Sequence, residues 1–485
     1  MNTAPSKREL RHFLKRYVPD PELSAHLATG QAATPDVPQK ITIGVSPKEY
    51  VNTLLSPNAR QLALTKVEGP LERPDWLAVG STLLKLRKLG LTSIVVFDNI
   101  HWRVADQSPS EASKTMMNEC MALVEAIEKA GGRARPIYGG VLERRSRDGA
   151  LDVHLDYIKS ALEHNQVPVL VPVVSEDTPR PIAANEMMVA LTKKLAQDEK
   201  TTPAKIVVVN TEGGIPNHEH PGTAHSLVNV QEEYDSILDA FHQQPTWQRA
   251  YPTTTRNLSM IRSCLAMLPT TSSAIVTPTA SLPSSLIANL VTDKPLYSSS
   301  LPAGSPERIN SSRSTVLRHG IKINKYDRIS DLDLPRLTKL LEASFLKKLD
   351  EPAFYGRLED VLAGAIIAGD YEGAVIMTSE QAGASRHAYL DKFAIAPTSQ
   401  GIGLTDILWK QMCDAYPELL WRSRKDNGVN KWYFERSNGY IRLKDTNWVL
   451  FWHGSKGFNY IDEYASIVHK VPASFSGPLP KNQLR

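Results

Sequence analysis

The sequence has few cysteines, little net charge and no long hydrophobic run. Its three cysteines, Cys120, Cys264 and Cys413, are far apart and lack the spacing of a metal site, which predicts free thiols in a reducing compartment. The net charge of +4 is too small to indicate binding of nucleic acid. No apolar run approaches the roughly 20 residues of a membrane helix, so we expect a soluble protein without a membrane partner. A chain of 485 residues predicts two or three domains.

The most informative stretch begins at Tyr389. Alternating apolar residues from Tyr389 to Ala396 predict a strand, and Gln400, Gly401 and Gly403 follow just before a helical pattern. A glycine turn between a strand and a helix lets backbone N–H groups approach an anion, and the helix N-terminus adds unsatisfied donors and a positive dipole end. The pattern indicates a pyrophosphate site, with a purely structural glycine turn as the alternative.

A second short strand is predicted over residues 419–421, and polar side chains follow it. Arg422, Arg424, Asn427 and Asn430 come after the strand, and Tyr433 lies on the next helical segment. Cations and amides beside a phosphate-binding turn indicate a site for an anionic substrate. A solvated charged loop is the alternative for these residues.

Together these motifs resemble one family. The matching pieces are YLDKF at 389–393, QGIG at 400–403, WRSR at 421–424, WYF at 432–434 and WVLFW at 448–452. In this order and spacing they resemble the acetyltransferase domain of the N-acetylglutamate synthases, in their fungal and animal form. One departure is Thr405, where the family's loop has Gly or Ala and where a side chain would crowd the pyrophosphate.

The resemblance implies a GNAT-type α/β domain that takes acetyl-CoA as co-substrate, L-glutamate as acceptor and no metal. It implies that Gln400, Gly401 and Gly403 cradle the pyrophosphate, and that Phe393, Ala394 and Ile395 offer backbone groups to the pantetheine arm. Tyr433 corresponds to the general acid, although a packed aromatic is the alternative. The family's residues that bind the substrate carboxylates correspond to Lys348, Lys392, Arg422, Arg424 and Asn427. The adjacent Lys347 is the alternative to Lys348.

The earlier part of the chain alternates short apolar strands with amphipathic helices, which predicts a largely parallel sheet covered on both faces. Strands are predicted at 61–67, 93–98, 167–174, 205–210 and 273–277, with helices at 75–89, 111–130, 151–164, 185–197, 230–242 and 255–267. PIAANE at 181–186 and VNTEGGI at 209–215 resemble the amino-acid kinase domain that precedes the acetyltransferase in this family. We therefore expect an N-terminal helix and linker over 1–42, an amino-acid kinase-like αβα sandwich over 43–323 and the acetyltransferase over 324–485.

The phosphate region of that kinase-like domain is altered. A working kinase of this class needs a lysine and paired glycines after the first strand to hold the phosphates. Here Lys66 is followed by Glu68, Gly69 and Pro70, which bring a negative charge and remove a backbone donor. We expect a catalytically silent domain. The resemblance implies a regulatory role in its place: allosteric inhibition by L-arginine, a homo-oligomer, a tetramer, and a complex with acetylglutamate kinase.

Several smaller features carry alternatives. The basic segment at the start of the chain fits a transit-peptide remnant or a folded helix, and the resemblance implies the mitochondrial matrix. His218, His220 and His225 suggest a metal only superficially, and we expect a solvated loop. Asp331 and Asp333 are interpreted as residues at the start of a helix. The competing functions are an acetylglutamate kinase-like enzyme and an idle arginine-sensing subunit.

Overall fold

The computed structural model describes residues 61–99, 102, 109–144, 150–175, 180–218, 222–292, 314–399, 403–444 and 446–478. These residues form two compact units, one ending at His319 and one beginning at Gly320. The basic segment predicted at the start of the chain lies outside the described residues. Among the helices of the described ranges, none is long and apolar enough to cross a membrane.

The first unit alternates strands and helices. Its strands are β1 Gln61–Gly69, β2 Leu91–Asn99, β3 Ala134–Ile137, β4 Leu142–Arg144, β5 Leu151–Val153, β6 Val167–Leu170, β7 Val173–Ser175, β8 Arg180–Pro181, β9 Pro203–Asn210, β10 Leu227–Asn229, β11 Ser273–Pro278 and β12 Thr315–Arg318. Its helices are α1 Arg73–Lys88, α2 Pro109–Lys129, α3 Asp156–Glu163, α4 Ala184–Leu195, α5 Val230–Gln243, α6 Pro245–Ala250, α7 Thr254–Ala266 and α8 Ser284–Thr292.

Eight of these strands form the main sheet, in the order β10-β12-β11-β9-β1-β2-β6-β3. All neighbours pair in parallel except β11 and β12. Parallel strands are buried on both faces, and β1 is accordingly buried along most of its length. Leu64 of β1 shares a core cluster with Met187 of α4 and Ile261 of α7. The predicted αβα sandwich is confirmed.

Two predictions for this unit need correction. Residues 151–164 do not form a single helix, because Leu151–Val153 pair as β5 and only Asp156–Glu163 are helical. The predicted strand over 167–174 is two strands in different sheets, β6 and β7. Pro172 lies between them and has no N–H to donate to a ladder, which fits the break.

The second unit holds a mostly antiparallel sheet. Its strands are β13 Ile323–Tyr326, β14 Lys347–Leu349, β15 Leu362–Ala368, β16 Gly373–Ala382, β17 Ser385–Ile395, β18 Leu419–Arg424, β19 Gly439–Arg442, β20 Trp448–His453 and β21 Phe475–Pro478. Its helices are α9 Leu334–Phe345, α10 Glu351–Val361, α11 Leu404–Ala415, α12 Asn430–Arg436 and α13 Ile461–Lys470. The seven-stranded sheet has the order β13-β15-β16-β17-β18-β20-β19, and β14 pairs separately with β21.

The period of two in the central strands divides the core between two faces. Val375 and Met377 of β16 pack in one cluster with Trp409 of α11. Ala374 and Ile376 pack on the other side, in a cluster with α9 and α10. This alternation explains how one strand supports helices on both faces of the sheet.

The helix predicted after Asp333 is confirmed, and the Asp333 carboxylate accepts from Arg336 N at 3.1 Å as an N-cap. The prediction that Arg422 and Arg424 follow the strand is wrong, because both lie on β18 itself. Helix α13 and strand β21 had no counterpart in the sequence analysis. They supply part of the candidate site.

Candidate active site

The site is organised by the end of β17. This strand pairs in parallel with β18 at a single position, Tyr389 with Leu420, while its pairing with β16 continues to Ile395. The β18 side of residues 391–395 is therefore not used by that ladder. Phe393, Ala394 and Ile395, the residues predicted to face the pantetheine arm, occupy this part of the strand. The backbone N–H of Ile395 donates to Ser344 Oγ at 3.4 Å.

A β-bulge lies at Asp391. Ile376 pairs with Lys392 and Met377 pairs with Leu390, so Asp391 is the extra residue of β17. In a regular strand, residues two positions apart point to the same face. Here the bulge lets Leu390 join the cluster beneath α11 while Lys392 faces the side of α10.

The glycine turn is described only at its last residue. Gln400 and Gly401 lie outside the described residues. Gly403 precedes α11 with φ +84°, a backbone conformation that favours glycine. Helix α11 directs its first N–H groups toward this turn, which is the arrangement that binds anions.

Lys392 is a buried cation. Its residue is 7% exposed, and its ammonium donates to the Asp391 carboxylate and to Ser474 Oγ, the latter at 2.9 Å. The ammonium also lies 4.9 Å from the ring centre of Phe354. Burial lowers the pKa of Lys392, and the Asp391 carboxylate partly offsets that effect.

Arg357 and Glu380 complete this charged group, and neither was found from the sequence. Arg357 Nη1 lies 2.6 Å from Asp391 Oδ2, and its other terminal nitrogen pairs with Glu380. Burial alone would raise the pKa of Asp391, but the charges of Lys392 and Arg357 outweigh burial and hold it below its usual range. The group therefore contains two cations, Lys392 and Arg357, and two carboxylates, Asp391 and Glu380, joined by hydrogen bonds.

Arg422 is held by the end of α13. Its Nη1 donates to Val468 O at 2.6 Å and its Nη2 donates to Pro472 O at 3.0 Å. The guanidinium also lies 4.3 Å from the ring centre of Trp448. A guanidinium has five N–H donors, so these two bonds leave others for a carboxylate.

Arg424, the last residue of β18, and Asn427, on the turn that follows, are both exposed. Arg424 forms a two-pronged pair with Asp426, with Nε–Oδ1 at 3.0 Å and Nη2–Oδ2 at 3.2 Å. Asn427 Nδ2 donates to Ser423 Oγ at 2.9 Å. Both side chains therefore have protein partners, which a substrate carboxylate would have to replace or join.

Lys348 lies on the ribbon of β14 and β21. Its ammonium is 2.9 Å from Glu342 Oε1 and is solvent-exposed. The hydrogen bond to Glu342 raises the pKa of Lys348. The neighbouring Lys347 is near enough to Asp426 for its charge to help lower the pKa of that carboxyl, after the larger effect of Arg424. The electrostatic environment thus links Lys347, more than Lys348, to the turn that follows Arg424 and carries Asp426.

Tyr433 sits in an aromatic cluster on α12. Its ring centre is 5.5 Å from that of Trp421 and 5.6 Å from that of Phe451. Burial raises the pKa of Tyr433 to about 12. Within the described part of the chain its hydroxyl makes no hydrogen bond, so its proton is available to another acceptor.

The first unit contains a second charged cluster at the end of β1. Lys66 is buried, and Nζ lies 2.6 Å from Glu68 Oε1 and 3.2 Å from Asp98 Oδ2. The same ammonium donates to Asn257 Oδ1 at 3.0 Å and to Asn185. Two carboxylates thus neutralise the cation at the position where a kinase would hold phosphate.

The histidine-rich loop is only partly as expected. His225 is buried, so the prediction of a solvated loop is wrong there; its ring centre lies 5.6 Å from that of His218. His220 lies outside the described residues. Among the residues that are described, no group of three or more His, Cys, Asp or Glu side chains could hold a metal ion.

A mixed sheet with one parallel pair, a glycine-led helix and a buried cation group at a strand bulge define an N-acetyltransferase of the GNAT class, here joined to an amino-acid kinase-like unit. A family model described as the N-acetyltransferase of N-acetylglutamate synthase matches residues 324–471. The mitochondrial amino-acid acetyltransferase of Laccaria bicolor is 33% identical over 97% of this chain and 97% of its own. That of Coprinopsis cinerea is 34% identical, over 89% of this chain and 81% of its own.

A solved structure supports the fold. The N-acetylglutamate synthase of Neisseria gonorrhoeae, complexed with coenzyme A and N-acetyl-glutamate, matches with a TM-score of 0.50 at 13% identity and covers 81% of this chain and 95% of that one. The chain belongs to the amino-acid acetyltransferases, the N-acetylglutamate synthases, of the fungal mitochondrial type.

Proposed function

We propose that this protein transfers the acetyl group of acetyl-CoA to the amine of L-glutamate, in the mitochondrial matrix, and that arginine inhibits it. The observation that carries the proposal is the buried ammonium of Lys392, held at the β17 bulge beside Phe393–Ile395, whose β18 side is not used by a strand ladder. A cation for a carboxylate and backbone groups outside the β18 ladder, for a thioester arm, lie on consecutive residues of one strand. Gln400, Gly401 and Gly403 would hold the pyrophosphate.

The substrate's two carboxylates require at least two cations. Lys392, Arg422 and Arg424, with Asn427, are the proposed partners, and Lys348 or its neighbour Lys347 adds a further charge. Arg422 and Arg424 present planar forks that match a carboxylate. Because several of these cations already have protein partners, the substrate binds by joining an existing network.

The thioester needs little further activation. The glutamate amine, as the free base, must be held roughly 3 Å from the thioester carbon. The new C–N bond forms as the C–S bond breaks, and the leaving thiolate takes a proton from Tyr433. The raised pKa of Tyr433 keeps its phenol protonated at neutral pH, as this role requires. The proton lost by the amine passes to water, and a proton from water restores the Tyr433 phenol, so that the enzyme returns to its starting state.

We assign residues 43–323 to the kinase-like regulatory domain and 324–485 to catalysis. The pairing of Lys66 with Glu68 and Asp98 argues against phosphate binding and hence against an active kinase. A purely regulatory, idle protein is disfavoured by the retained set of Lys392, Arg422 and Tyr433. A homotetramer and a complex with acetylglutamate kinase remain part of the proposal, tested by gel filtration and co-purification.

The deciding experiment measures thiol release from acetyl-CoA with and without L-glutamate, and then with arginine. Glutamate-dependent release that arginine slows supports both parts of the proposal. Glutamate-dependent release that is indifferent to arginine removes the regulatory part. Folded protein that binds acetyl-CoA but releases no thiol with glutamate would contradict the assignment of the substrate.

A further inference from the structure

One short segment, residues 472–478, runs past three of the predicted substrate cations in turn. Pro472 O accepts from Arg422 at 3.0 Å, and Ser474 Oγ accepts from Lys392 at 2.9 Å. Further along, Gly477 pairs with Lys348 across the ribbon of β14 and β21. None of the sequence motifs described above includes this segment.

The segment is fixed on both sides of Ser474. Asp350 N donates to Ser474 O at 3.0 Å, which ties the residue to the start of α10. The ring of Phe475 packs on Phe345, with ring centres 5.0 Å apart, and lies 5.6 Å from the Lys392 ammonium. The position of the Ser474 hydroxyl is therefore set by the fold.

The hydroxyl of Ser474 has a hydrogen still to donate. An ammonium has no acceptor, so Ser474 must accept from Lys392 through a lone pair. Within the described ranges, the Ser474 O–H donates to no protein acceptor. Polarised by the cation, this O–H is a stronger donor toward an anion placed next to Lys392.

We propose that Ser474 is a further substrate-binding residue, which donates its O–H to the same glutamate carboxylate that Lys392 binds. The neighbouring Pro472 carbonyl fixes the guanidinium of Arg422, so residues 472–478 set the relative positions of the groups that receive the two carboxylates. This inference rests on the proposed substrate site. It assigns to the segment a role in selecting a dicarboxylic amino acid.

The test compares Ser474→Ala with Ser474→Thr, which keeps the hydroxyl. The Ala variant should raise KM for glutamate about tenfold or more, the effect of losing a hydrogen bond to a charged group. KM for acetyl-CoA and the thermal midpoint should stay close to those of the wild type, and Thr should restore most of the loss. Ser330→Ala is the matched control, because Ser330 bonds only to the exposed Asp331 carboxylate at 3.1 Å.

Two amides of the substrate locate the contact. L-Glutamine lacks the side-chain carboxylate and the α-amide of glutamate lacks the other. Ser474→Ala should change KM little for the amide that lacks the carboxylate bound by Ser474. For the other amide, which keeps that carboxylate, it should raise KM as much as it does for glutamate.

Three results distinguish a wrong role for Ser474 from a wrong substrate site. If Ser474→Ala leaves KM for glutamate within twofold while Lys392→Met raises it, the role of Ser474 is wrong and the substrate site stands. If Ala lowers kcat/KM equally for glutamate and both amides and Thr gives no rescue, Ser474 is structural and the inference is also wrong. If Lys392→Met and Arg424→Ala leave KM for glutamate unchanged in folded protein, the substrate site and the inference fail together.

Discussion

Arg357 and Lys392 divide the two oxygens of one buried carboxylate, that of Asp391. The guanidinium takes Oδ2 at 2.6 Å, and the ammonium takes Oδ1. The carboxylate thus holds the cation proposed to bind substrate, while a second cation, which also pairs with Glu380, compensates its charge. The electrostatic balance of the site therefore depends on Arg357, a residue that the substrate need not touch.

Replacing Arg357 by Met should destabilise the second unit. Asp391 and Glu380 would lose their common guanidinium, and breaking a buried ion pair costs about 3–5 kcal/mol. Urea unfolding followed by tryptophan fluorescence measures the loss. Arg386→Met, on an exposed position of β17, should change the free energy of unfolding by no more than about 0.5 kcal/mol. Equal effects of the two substitutions would show that the ion pairs of Arg357 with Asp391 and Glu380 contribute no more to the free energy of unfolding than an exposed arginine does.

The Asp391 carboxyl should make stability depend on acid. Its pKa in the folded protein lies below the value of about 4 for an unfolded chain, so the unfolded state takes up the proton first. The stabilisation is complete above about pH 5 and is lost as the pH falls through the folded-state pKa. The thermal midpoint of Asp391→Asn should therefore fall less steeply with acid than that of the wild type. An unchanged slope would mean that other carboxyls govern acid unfolding.

Tyr433→Phe should lower kcat by about 10²-fold or more, because general acid catalysis typically contributes that much. KM for glutamate and the thermal midpoint should change little, since only the hydroxyl is removed. With a pKa near 12, Tyr433 stays protonated at pH 8–10, so it should cause no fall in the wild-type rate over that range. Tyr440→Phe, at an exposed ring, is the control. A normal kcat for the Tyr433→Phe enzyme would make Tyr433 a packing residue.

Arg424→Ala should raise KM for glutamate far more than KM for acetyl-CoA. The loss of a charged hydrogen bond of about 1.5–3 kcal/mol corresponds to roughly 10- to 150-fold. Because Arg424 is exposed, folding should be little affected, whereas Arg422→Ala also removes the bonds to Val468 and Pro472 and should lower stability as well. Steady-state kinetics measures the two KM values, with the exposed Arg442→Ala as control. The thermal midpoint distinguishes Arg422→Ala from Arg424→Ala. Equal losses for both substrates would indicate a structural role.

Lys66→Met should destabilise the first unit and spare acetyl transfer. The substitution leaves Glu68 and Asp98 buried without the cation, at a cost of about 3–5 kcal/mol. Calorimetry measures the change, and the exposed Lys194→Met is its control. With glutamate and acetyl-CoA at saturation, kcat should stay within about twofold. Binding of ATP to the wild-type protein that Lys66→Met abolishes would instead favour an active kinase.

The regular parts of the fold could be predicted because their signals are local. The period of two around Tyr389 and the glycine before α11 identify a strand and a helix start without knowledge of any neighbour. The pairing of Arg357 with Asp391 spans 34 residues and leaves no mark on the spacing of either motif. Strand β21 has the composition of a loop, and it is a strand only because β14 offers a partner.

The role of single positions was the least predictable. Arg422 and Arg424 were recognised as cations near a strand end, but their place on β18 follows from its pairing with β20, which extends beyond the apolar run to Arg424. Likewise, a bulge adds a residue without changing the hydrophobic character of the strand. Asp391 therefore looked like an ordinary member of a motif.

The bulge also affects how related sequences should be aligned. Leu390 and Lys392 keep their partners on β16 with Asp391 as an extra residue between them. Losing that one residue would restore a regular ladder and leave both halves of the strand in register. A one-residue gap at this position in a distant relative would thus mark a missing bulge, with its anionic support for the lysine, and the flanking residues on each side could still be compared one for one.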